Sequence, residues 1–137
     1  MLRTGCFLLL GGLLSCLGCQ RVVVYIPQTQ EVRGVVLYKD GRPLTAGVVE
    51  FRYLRDPSIR AVGKIEPDGS FTLETLAGDQ RLSGVPPGRY HVSIAPPPEM
   101  GQTHSPYVFP SVEIAPNQKE IRLEFEGFPV NSNEAPE

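Results

Sequence analysis

Three cysteines and two histidines are the side chains of this chain best suited to covalent or metal chemistry, and their spacing limits what they can do. Cys6, Cys16 and Cys19 all fall in the first 19 residues, so the rest of the chain has no thiol for a disulfide framework or a thiolate metal site. His91 and His104 stand in no HExxH or HxxE spacing, and a zinc site would have to recruit Glu99 or Glu113 from separate elements. His91 falls on the outward side of an alternating segment, where a solvated imidazole is the simplest reading. Ser58, Ser83 and Ser105 lie in no Gly-x-Ser-x-Gly setting, so a nucleophile elbow is not expected. Asp56, Asp68 and Asp79 each adjoin Pro or Gly, which suits turns rather than a calcium loop of Asp-x-Asp-x-Asp-Gly type. These spacings point to no catalytic site, cofactor or metal.

The chemistry left to the cysteines is processing. Met1-Leu2-Arg3 supplies a positive charge, Cys6 to Leu14 an apolar run, and small residues follow, which is the layout of a secretory signal. The run is too short to span a bilayer, which takes roughly 20 apolar residues. Leu13-Leu14-Ser15-Cys16 resembles the lipobox of bacterial lipoproteins. That resemblance implies a signal peptide over 1–15, diacylglycerol on the thiol of Cys16, cleavage before it, and a further acyl chain such as palmitate on the new amino terminus. Cys19 is the alternative; Gly18 before it suits cleavage, but Cys16 would then occupy the place of a bulky aliphatic residue. Two or more acyl chains, at about 0.8 kcal/mol per buried methylene, hold a protein on a membrane durably. The resemblance therefore places the chain outside the cytosol, on the cell membrane or the outer membrane.

The elements that would stand on this anchor are short. The next apolar run, Val22 to Ile26, is closed by Pro27. Residues 16–30 read as a tether, with 22–26 β-branched enough to form an added edge strand instead. Residues 128–137 are Asn-, Glu- and Pro-rich and are expected to be a disordered tail. The balance of 13 Lys+Arg against 15 Asp+Glu leaves no positive excess for phosphates, which argues against nucleic acid as a partner. Gly and Pro, 14 of each, sit between short apolar runs without a repeat period and favour strands and turns over helices.

Between residues 31 and 127 the apolar pattern alternates with a period of two. Val32, Gly34 and Val36 alternate with Arg33, Val35 and Leu37 before an Asp40-Gly41 turn. The segments Gly47 to Tyr53, Arg60 to Ile65, Ser70 to Glu74, Arg89 to Ala95, Ser111 to Ile114 and Lys119 to Glu126 follow. In the last, Ile121, Leu123 and Phe125 alternate strictly with charged residues. About seven such strands with turn signals between them predict an all-β, two-sheet sandwich over a single core.

Val32-x-Gly34-x-Val36, Asp40-Gly41-Arg42-Pro43-Leu44, Gly47-x-Val49-x-Phe51, Pro67-Asp68-Gly69-Ser70-Phe71-x-Leu73 and Pro87-Gly88-x-Tyr90-x-Val92 together resemble the carboxypeptidase regulatory-like domains. The resemblance covers residues 31–127. It implies a seven-stranded transthyretin-like β-sandwich acting as an accessory, adhesive or scaffold module, and not a peptidase. The hydrolase of this fold type carries a Tyr-Arg-Gly-Ser ending, for which this chain has Asn133-Glu134-Ala135-Pro136-Glu137.

One loop could recognise a partner. From Pro96-Pro97-Pro98 to Pro110 the chain holds Met100, His104, Tyr107 and Phe109, a long connection of the kind that often carries function. It reads either as a proline-stiffened link folding Tyr107 and Phe109 onto the core, or as a recognition surface for an envelope protein or glycan. The alternative function is a carrier that binds a small apolar or carbohydrate ligand at this loop.

Overall fold

Ten strands form two sheets in the computed structural model, which describes Gly18 and residues 23–131. In chain order they are β1 (Arg33–Tyr38), β2 (Val48–Tyr53), β3 (Ile59–Lys64), β4 (Ser70–Thr72), β5 (Glu74–Ala77), β6 (Gln80–Ser83), β7 (Gly88–Ala95), β8 (Tyr107–Val108), β9 (Val112–Ile114) and β10 (Glu120–Phe125). The smaller sheet has the order β10-β1-β4, with β1 and β10 parallel. The larger runs β6-β5-β3-β2-β7-β8, and β9 also pairs with β7. No helix occurs among the described residues, and none is long and apolar enough to cross a membrane.

The period of two becomes the core directly. Val49, Phe51 and Tyr53 of β2, Tyr90, Val92 and Ile94 of β7, and Ile121, Leu123 and Phe125 of β10 are all buried, while their strand neighbours face outward or are part-covered. Each such side chain contributes about 1.5–3 kcal/mol. Phe71 closes the space between the sheets. Its ring packs on Gly34 of β1 and on Gly63 of β3, positions where a side chain would meet it. Tyr90 ties the core to its own connection, donating its hydroxyl proton to the Pro86 carbonyl at 2.5 Å, as in a tyrosine corner. The buried Thr75 hydroxyl likewise donates to the Gly84 carbonyl at 2.6 Å.

The all-β expectation holds, and each of the seven expected segments contains a strand. Three further elements appear. Ser70 to Glu74 is not one strand: β4 pairs with β1, β5 pairs with β3, and buried Leu73 is the pivot where the chain changes sheet. β6 is exposed along its length, so it has no alternating pattern to read. β8 is two residues long and is set by its partner β7.

Strand register defines two ends. At one, Gly88 stands opposite Ile114, Ile59 opposite Ala77, and Ala77 opposite Gln80. At the other, Val48 stands opposite Ala95 and Lys64, and Tyr38 opposite Phe125. The amino-terminal segment joins the first end through Gln30. Its backbone exchanges two 2.8 Å hydrogen bonds with Val85. Its side-chain amide donates to the carbonyls of Ala115 (2.8 Å) and Gln118 (3.1 Å) and accepts the Asn117 N–H at 3.0 Å.

Two expectations for the flanks are corrected. Residues 23–26 form no edge strand; Val22 lies outside the described residues. Pro27 has no N–H to continue a ladder beyond the single Gln30–Val85 bridge. The Val24 carbonyl instead accepts from the Gln80 side chain at 3.3 Å, and Val24 and Ile26 pack on the core. Residues 128–131 are held rather than disordered: Phe128 is buried, and the backbone of Pro129 and Asn131 is hydrogen-bonded to the loop before β8. Gly127, at φ +128°, turns the chain back so that Phe128 meets Phe125. Residues 132–137 of the expected tail lie outside the described residues.

Candidate functional site

The signal segment 1–15 and the candidate lipidation residues Cys16 and Cys19 lie outside the described residues. The other expected site, the loop after β7, is well defined. Two overlapping turns form its first half: the Met100 N–H donates to the Pro97 carbonyl at 2.9 Å, and the N–H groups of Thr103 (3.1 Å) and His104 (2.9 Å) both donate to the Met100 carbonyl. Its second half is β8, laid along β7 with Tyr107 opposite Ile94 and Val108 opposite Ser93. The Phe109 N–H then donates to the Val92 carbonyl at 2.9 Å.

This geometry directs the aromatic side chains inward. Phe109 is buried, and Tyr107 meets its ring edge-on at 4.8 Å between centroids and that of Phe125 at 5.4 Å. Phe125 also stacks on Tyr38 at 4.8 Å and meets Phe128 edge-on at 5.2 Å. Such pairs contribute about 0.5–1.5 kcal/mol each beyond area burial. Tyr107 and Phe109 therefore cap the sandwich end, as the connection reading expects. Met100 is part-buried against the same core.

His104 is half-buried, with Nδ1 2.8 Å from the Thr103 hydroxyl. It bridges to Val130. Around it the carboxy-terminal segment forms a clasp: the Ser105 N–H donates to the Pro129 carbonyl and the Asn131 N–H to the Thr103 carbonyl, both at 2.8 Å. Asn131 Nδ2 donates to the Gln102 carbonyl at 3.2 Å, and its Oδ1 accepts from the Ser105 hydroxyl. Phe128 and Asn131 were missed by sequence reasoning because their surroundings are polar and Pro-rich. The signal that could have found them is Gly127 between the apolar Phe125 and Phe128.

No three His, Cys, Asp or Glu side chains among the described residues come together as a metal site. His91 is exposed on the outer face of β7, opposite Arg52. Acidic turn residues are occupied locally: Asp68 accepts from the Ser70 hydroxyl (2.6 Å) and N–H (3.0 Å), which holds its carboxyl below the usual range. Asp40 is lowered likewise by the backbone N–H and guanidinium of Arg42. At the far end from Gln30, Lys39 and Glu126 form an exposed ion pair that raises the amine's pKa and lowers the carboxyl's. The hollows found are open and shallow; one of 360 Å³ lies beside Gln30, Asn117 and Lys119, and none of those found borders Tyr107 or Phe109. Comparison with protein-family models, curated proteins and solved structures found no match.

Proposed function

We propose that this chain is a lipid-anchored extracytoplasmic protein whose β-sandwich serves as a non-catalytic interaction or structural module of the cell envelope. The observation that carries the reading is Leu13-Leu14-Ser15-Cys16 behind an apolar signal run. The fold supports it in one respect. The chain enters the sandwich at the Gln30 end, while the Met100–Ser105 turns and their clasp lie at the opposite end, facing away from any anchor upstream. A protein or glycan of the envelope would meet that outer end. The likeness to carboxypeptidase regulatory-like domains of transthyretin-like fold belongs to this proposal and rests on the sequence motifs. The carrier alternative is not favoured, because Phe109 is buried and Tyr107 is engaged edge-on with Phe109 and Phe125, which leaves no open aromatic pair.

Mass spectrometry of the amino-terminal peptide, on protein taken from its native membrane, tests the anchor. The expected species begins at Cys16 and carries a diacylglyceryl thioether; Cys16→Ser then moves the protein out of the membrane fraction and Cys19→Ser does not. Unmodified Cys16 and Cys19 would overturn the assignment. Crosslinking and pull-down of the anchored protein tests the module, with crosslinks expected at residues 99–105 rather than around Gln30.

A further inference from the structure

The segment between the anchor and the sandwich has two sides. Val24 and Ile26 pack on the core, whereas Val23 and Tyr25, alternating with them, are each 82% exposed. Val24 is held in this orientation by the Gln80 side chain, and Gln80 stands at the same end of the larger sheet as Gly88 and Ile114. The segment thus lies across the sandwich end, and its outward side chains point away from the domain. Leu54, in the connection after β2, adds a third exposed apolar side chain at that end.

A tyrosine and a valine presented to water at this place have an occupant that the sequence itself suggests. Cys19 precedes Val23 by four positions and Cys16 by seven. An extended chain reaches about 3.3–3.6 Å per residue, which keeps Val23 within roughly 14 to 25 Å of either acylated sulfur. Tyrosine has an apolar ring and a polar tip and is enriched where hydrocarbon meets headgroups. We infer that Val23 and Tyr25 seat in the headgroup–acyl boundary of the anchoring bilayer, so that the domain stands on its Gln30 end instead of drifting on a loose tether. The inference rests on the lipid anchor proposed above and adds a second, protein-borne contact that fixes orientation.

The chain has no tryptophan, so a single introduced indole reports its own surroundings. Tyr25→Trp and Val130→Trp both fall on exposed positions, at opposite ends of the sandwich. Each acylated protein, purified from its membrane, is reconstituted into phosphatidylglycerol–phosphatidylethanolamine vesicles with and without brominated acyl chains. The expected result is a blue-shifted, bromine-quenched signal from position 25 and a water-like, unquenched signal from position 130. In the same vesicles, Tyr25→Asp combined with Val23→Asp leaves flotation intact and makes the domain more accessible to trypsin at Arg55. Flotation with position 25 unquenched overturns the inference and spares the anchor. Quenching at position 130, alone or with 25, also overturns it, since the domain then lies inverted or on its side. A protein that fails to float overturns the anchor and this inference together.

Discussion

The ring of Phe71 lies directly against the α-carbon of Gly34, so that a β-carbon built on the glycine would stand 2.2 Å from the ring's Cζ. On its other side the ring is confined by Gly63, where an added β-carbon would be 3.2 Å from Cδ2 and 2.9 Å from the Thr72 carbonyl. Phe71 thus spans the gap between the sheets, with a bare backbone on each side.

Gly34→Ala should therefore overpack the core and cost about 1–3 kcal/mol, read as a lower urea midpoint with unchanged m-value. Phe71→Leu should recover part of that loss in the double variant, because the two positions compete for one space. A double-variant loss equal to the sum of the single losses would show that the ring is free to move.

Tyr90→Phe leaves the Pro86 carbonyl without its buried donor and should cost about 1–3 kcal/mol. It should also change the alkaline limb. Burial raises the Tyr90 phenol well above its usual range, and the nearby Tyr53 adds to the shift. The folded state thus binds its proton more tightly than the unfolded state. That stability is present below about pH 10 and is lost as pH rises past it. In urea titrations from pH 8 to 11, the variant should show a shallower alkaline decline than the parent.

Asp68 works in the opposite direction. Hydrogen bonds from the Ser70 hydroxyl and then its N–H lower its folded pKa. The stability it contributes is present above the unfolded carboxylate value near 3.9 and is lost as pH falls through the folded value. Asp68→Asn should flatten the acid limb below pH ~4. Because the carboxylate is exposed, the change should be small and should shrink with salt.

Truncation after Phe128 removes the clasp on the Met100–Ser105 turns while keeping the aromatic cap. Amide exchange at Ser105 should accelerate, and that at Phe109, bonded to Val92, should stay protected. Asn131→Ala, which loses two side-chain hydrogen bonds, should show a weaker form of the same effect, about 0.5–1.5 kcal/mol per bond at most. Equal exchange at Ser105 in parent and truncation would mean that the loop orders itself.

The alternation of Val49-x-Phe51-x-Tyr53, Tyr90-x-Val92-x-Ile94 and Ile121-x-Leu123-x-Phe125 was enough to place the core strands and their buried faces, because a strand exposes neighbours to opposite sides whatever its partners are. The Asp40-Gly41 and Asp68-Gly69 turns were legible for an equally local reason, since the φ of +90° at Gly41 and +83° at Gly69 favours glycine. The resemblance of residues 1–16 to a signal and lipobox rests on local spacing as well. Pairing is a different matter. That β1 lies parallel to β10, that Leu73 hands the chain from one sheet to the other, and that β6 exists without an apolar face depend on partners distant in sequence. The loop shows the same division. Its length and its aromatic residues could be read in advance, but whether Tyr107 and Phe109 faced a ligand or the core was decided by partners such as Phe125, which only the packed sandwich brings against Tyr107. Sequence by itself determined which faces are apolar and where the chain must turn; the tertiary structure alone decided what each face meets, because burial is a property of contacts between segments and not of any one segment.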